Sequence, residues 1–129
     1  MKFNIYPKKG DMFTLEFRRF TFNENSFTLY DEGDSVNKDG FLSFDNIAAI
    51  MPQEQGGQSS NALTFKVYLK NRTEPLEVIA YGVNTEEPPS AKFYGRFYGH
   101  GDVPLNHVFI ALSEVVAIIP SDGLKHRWR

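Results

Sequence analysis

The chain has 129 residues, 41% apolar and 23% charged, enough for one globular domain with a real core. A formal net charge of −2 gives no general pull toward nucleic acid or an anionic membrane, and no run reaches the ~18 apolar residues a spanning helix needs. There is no cysteine, which removes disulfides, thiolate metal sites and cysteine nucleophiles.

The first residues, MKFNIYPKKGD, hold one short apolar patch followed by Pro7 and do not read as a signal peptide. The expectation is a soluble, cytoplasmic protein without a cofactor. Met12 to Phe22 starts as a strict alternation. Phe13, Leu15 and Phe17 point one way, Thr14, Glu16 and Arg18 the other. The apolar parity then flips to Phe20 and Phe22, which predicts a β-bulge near Arg18-Arg19. Asn23 to Ser26 is turn chemistry, and Ser26 to Tyr30 returns as a strand. Asp31 to Gly40 reads as a loop. Phe41 to Phe44 and Ile47 to Met51 read as two strands closed by Pro52.

Gln53 to Asn61 has no apolar residue and reads as an exposed loop. Leu63, Phe65, Val67 and Leu69 alternate with polar neighbours and form the clearest strand, with Leu76 to Val83 as its hairpin partner. Asn84 to Ser90 is a second loop, stiffened by Pro88-Pro89. Phe93 to Tyr98 reads as a glycine-bearing strand. The 12 Phe and 6 Tyr fit this picture, because flat rings pack well on a pleated, half-buried surface.

Two stretches align without a gap: Gly33 to Pro52 and Gly101 to Pro120. Gly33/Gly101, Asp34/Asp102, Phe41/Phe109, Ala49/Ala117, Ile50/Ile118 and Pro52/Pro120 are identical, and Tyr30 matches Tyr98 just upstream. The pattern predicts one strand–turn–strand unit used twice. A helix over Val108 to Ile119 is the competing reading, disfavoured by β-branched residues and bounding prolines. The expected fold is a single all-β domain over residues 1–129 with this pseudo-repeat at 33–52 and 101–120. It would be a small antiparallel barrel or a two-layer sandwich of about eight strands.

Four stretches invite a functional reading. Ser35 to Asn46, SVNKDGFLSFDN, resembles the calcium loop of EF-hand proteins at Asn37, Asp39, Gly40, Leu42 and Ser43. The pattern wants a carboxylate first and a bidentate Glu last, where this chain has Ser35 and Asn46, and its helical flanks read here as strands. The expectation is therefore a polar hairpin loop that binds no metal, with Gly40 supplying a positive φ. His100, Asp102 and His107 lack a third oriented partner for zinc or general-base chemistry, and no catalytic motif is present. Tyr94, Arg96 and Tyr98 alternate on one strand, with His100 beyond them. Two tyrosines around an arginine suit stacking on a flat anionic ligand, while the plainer reading is an edge strand with Arg96 lying over aromatic core rings. The tail Lys125-His126-Arg127-Trp128-Arg129 suits partner docking through Lys125, Arg127, Trp128 and Arg129, against the plainer reading of a frayed terminus.

The sequence thus favours a non-enzymatic interaction module that binds a protein partner or itself as a homo-oligomer through strand edges, loops and the tail. The alternatives are a small-molecule binder taking a nucleotide-like anionic aromatic ligand, and a single-stranded nucleic-acid-binding OB-like barrel. The net charge disfavours nucleic acid, and no membrane partner is expected.

Overall fold

The computed structural model describes residues 1–22, 25–30, 40–55, 62–84, 94–98, 105 and 107–121, with the backbone alone at 84 and 94–96. Among these the protein is all-β: twelve short strands pair antiparallel in several sheets, none closed into a barrel, and no α-helix occurs. The segment held open for a helix is instead a strand, one 3-10 turn and a second strand. The chain divides into two compact units, Met1–Glu54 and Gln55–Arg129.

The first unit begins with β1 (Lys2–Pro7), whose alternation buries Phe3 and Ile5 completely. Gly10 turns the chain at φ 101°, a backbone region glycine enters without a Cβ penalty. β2 (Phe13–Glu16) then pairs with β1, placing Leu15 opposite Phe3 and Phe13 opposite Ile5. Next come β3 (Arg19–Phe22), β4 (Ser26–Tyr30), β5 (Gly40–Ser43), a 3-10 turn over Phe44–Asn46, and β6 (Ile47–Pro52). Strand order is β2-β1-β6 in one sheet and β3-β4-β5 in the other.

The parity flip near Arg18-Arg19 is not a bulge within one strand. The chain changes sheets there. Phe17 still donates its N–H to the Met1 carbonyl at 3.0 Å, whereas Arg18 donates to the Tyr30 carbonyl at 2.7 Å. Gly40 also differs from expectation. It lies in β5 opposite Leu29, and the positive φ belongs to Gly10. Phenylalanines join the two sheets of this unit. Phe3 stacks on Phe17 with centroids 4.2 Å apart, Phe20 meets Phe3 and Phe27 edge-on, and Phe22, Phe27 and Phe44 close the row. Offset and edge-on arrangements suit the ring quadrupole better than a face-to-face sandwich, so the edge-on contacts here are favourable in their own right.

The second unit holds β7 (Leu63–Leu69), β8 (Leu76–Ala80), β9 (Gly82–Asn84), β10 (Tyr94–Tyr98), β11 (Phe109–Ala111), a 3-10 turn over Leu112–Glu114 and β12 (Val115–Pro120). Its orders are β12-β7-β8 and β11-β10-β9. Strand for strand, this is the topology of the first unit.

The correspondence extends to single bonds. Phe3 opposite Pro52, Ile5 opposite Ile50, Tyr6 opposite Ala49 and Pro7 opposite Ile47 recur as Phe65 opposite Pro120, Val67 opposite Ile118, Tyr68 opposite Ala117 and Leu69 opposite Val115. Both ladders skip one residue of the last strand, Ala48 in one and Val116 in the other. Lys8 N–H donates to the Asn46 carbonyl as Lys70 N–H does to Glu114, both at 2.9 Å. The change of sheets recurs too: Tyr81 N–H donates to the Tyr98 carbonyl at 2.7 Å, as Arg18 does to Tyr30. The two 3-10 turns are flanked alike, with φ −78° at both Ser43 and Ala111. The pseudo-repeat read over 33–52 and 101–120 is therefore part of a duplication that takes in all six strands of each unit.

Candidate functional site

β10 carries the tyrosine–arginine stretch. Phe97 is buried and meets the Phe65 ring edge-on with centroids 5.8 Å apart, while Tyr98 is half-buried. The strand pairs with β9 on one side, Tyr98 opposite Gly82, and with β11 on the other, Tyr94 opposite Ala111. The side chains of Tyr94 and Arg96, all of His100, and Lys125, Arg127, Trp128 and Arg129 lie outside the described residues.

An arginine–tyrosine stack does occur, at a place the sequence did not single out. The Arg19 guanidinium sits 4.0 Å from the Tyr30 ring centroid, directly across the β3–β4 ladder. The same position of the second unit pairs Gly82 with Tyr98, so the guanidinium is missing there. Strand spacing could have revealed Arg19 and Tyr30 only once their register was known.

Most of the Ser35–Asn46 loop lies outside the described residues, but its flanks do not. β4 precedes it, β5 and the 3-10 turn take up its end, and β6 comes directly after, where a calcium loop of the EF-hand type needs helices. No cluster of three metal-ligating side chains occurs among the described residues. His107 is half-buried just before β11, and that burial holds its imidazole below the usual value and favours the neutral ring.

The sheet edges separate into closed and open ones. At β8, the Gln55 side chain stands in for a neighbouring strand. Its Nε2 donates to the Glu77 carbonyl at 2.7 Å, and its Oε1 accepts the Ile79 N–H at 2.9 Å. Among the other end strands, β2 and β3 carry the charges Glu16 and Arg19, β9 is three residues long, starting on glycine, and β6 and β11 are uncharged but buried throughout. Charge and shortness are both common protections of an edge. Among the described residues, β5 and β12 lack such protection. Both stand at the end of a three-stranded sheet, and neither Gly40–Ser43 nor Val115–Pro120 contains a charged residue.

Both also expose large apolar side chains that the duplication buries elsewhere. Phe41 of β5 is 69% exposed, whereas Phe109, the same residue at the same position of β11, is 3% exposed. Val116, the skipped residue of β12, is 67% exposed, against 2% for Ala48 of β6. Every residue of β6 and of β11 is buried, while β5 and β12 are half-buried or exposed over most of their length.

Comparison with protein-family models, with curated proteins and with solved structures gives no match.

Proposed function

We propose that this protein is a non-enzymatic interaction module that binds protein partners, its own copies included, by strand addition at open sheet edges. The observation that carries this reading is the contrast among the edges: β8 is filled by Gln55, whereas β5 and β12 present uncharged backbone ladders beside exposed Phe41 and Val116. An unpaired edge offers a row of N–H and C=O groups to any extended segment, and adjacent apolar side chains supply the burial that makes such pairing last. The finer fold that suits this reading is a pair of small two-layer sandwiches. In the first unit phenylalanine rings join the two sheets, which is how facing sheets build a core.

Native mass spectrometry of the protein recovered from its own host tests the function. The expected result is a complex heavier than the 14.8 kDa chain whose added mass is protein. Added mass in the range of a small molecule would favour a ligand-binding role instead, and a bare single chain would overturn the proposal.

A further inference from the structure

We infer that the partner of the open edges is a second copy of this chain, joined head to tail with β12 of one copy beside β5 of the next. This rests on the interaction-module reading and names the occupant. The argument begins with the duplication. β5 and β11 are the same strand of the repeated unit, and β6 and β12 are likewise one strand in two copies. In each pair one member is buried throughout and the other is half-buried or exposed over most of its length. The buried set, β6 and β11, holds one strand of each kind, and so does the exposed set, β12 and β5.

Pairing β12 with β5 between copies uses each open edge once. Pairing each edge with its own kind would require two unrelated symmetric interfaces. The edges also match in charge. Neither holds Asp, Glu, Lys or Arg, so apposition desolvates no ion and meets no like-charge repulsion. Phe41 shows directly what cover would change: an identical side chain at the equivalent position is already buried in the other unit. A head-to-tail contact of this kind closes as a ring or runs on as a filament.

The test uses the full chain and two variants, Phe41→Glu on β5 and Val116→Glu on β12. Both side chains are exposed in the single chain, so both variants should fold, and thermal melts check that they do. Light scattering after size exclusion, at tens of micromolar, reads the mass. Wild type should run at a multiple of 14.8 kDa and each variant alone as a single chain. An equimolar mixture of the variants should give a one-to-one dimer and nothing larger, because each supplies the edge the other lacks. A variant that still dimerises alone, a variant that assembles like wild type, or a mixture that stays monomeric overturns head-to-tail pairing. A monomeric wild type overturns self-association. If host-purified protein then carries a different chain, the interaction module survives without this inference; a bare chain from both sources removes both.

Discussion

Phe41 and Phe109 occupy one position of a duplicated fold, and only Phe109 is buried. The same residue type thus contributes to the core in one unit and stands in solvent in the other. Truncating Phe109 to alanine should cost about 3–5 kcal/mol, as core phenylalanines do. Phe41→Ala should shift stability by no more than about 0.5 kcal/mol. Urea unfolding in dilute solution, where copies do not associate, checks the contrast; equal costs would contradict it.

The shared bulge gives a second matched pair. Ala48 is buried and Val116 is exposed at the same skipped position. Leucine at Ala48 should overpack its surroundings and lose about 1–3 kcal/mol. Leucine at Val116 should be nearly neutral. Chemical denaturation of the two variants side by side reads the difference.

Gln55 offers a test of edge protection. In Gln55→Ala the Ile79 N–H and the Glu77 carbonyl lose their side-chain partner. Each lost bond is worth about 0.5–1.5 kcal/mol. Amide exchange at Ile79 should speed up by roughly a factor of ten, since about 1.4 kcal/mol corresponds to tenfold, while Val67, deep in β7, stays protected. Unchanged exchange at Ile79 would show that the amide does not hold the edge.

Much of this fold could be read from the sequence, and what escaped did so for definite reasons. The second half of the duplication was visible because Gly33–Pro52 and Gly101–Pro120 share their spacing residue for residue. The first half was hidden. Phe3, Ile5, Tyr6 and Lys8 match Phe65, Val67, Tyr68 and Lys70, but the next turn, Lys8 to Met12, is one residue shorter than Lys70 to Pro75, and the loop after β3 is shorter than the loop after β9. Insertions collect at turns, where the backbone faces water, so no single alignment shift could find both halves. β1 was also missed. Its apolar alternation is a short patch, Phe3 and Ile5, that ends at Pro7, and its pairing with β2 and β6 on either side is what marks it as a strand. Exposed strand edges were expected, but which strands form them was not legible. Phe41 and Phe109 sit in similar local sequence, and only tertiary burial distinguishes them.

His107 makes stability depend on pH in a definite direction. Burial lowers its pKa in the folded chain below the unfolded value. The unfolded state then binds the proton more readily, so stability is lost as pH falls below about 6.5 and through the folded value. Above that range the contribution is fully present. Replacing His107 with glutamine should flatten the wild-type loss between pH 7.5 and pH 5. Urea melts across that range decide the point, and an unchanged slope would assign the dependence to other groups.

Calcium at millimolar concentration should leave the melting temperature of the wild-type protein where it is. The Ser35 to Asn46 loop lacks both the leading carboxylate and the closing bidentate Glu, and strands rather than helices flank it. A rise of several degrees would mean that the ion binds the folded state.

In each unit the first strand is hydrogen-bonded to the last, Phe3 beside Pro52 and Phe65 beside Pro120. Neither ladder can form until nearly the whole unit has been made, and contacts so distant in sequence make for slow folding. Two units of like sequence in one chain are also prone to exchanging strands while both are incomplete. Synthesis from the N-terminus eases that hazard. Pro52 emerges well before Pro120, so β6 can find β1 while its rival β12 is still untranslated, and the order of translation helps keep the two halves of the duplication apart.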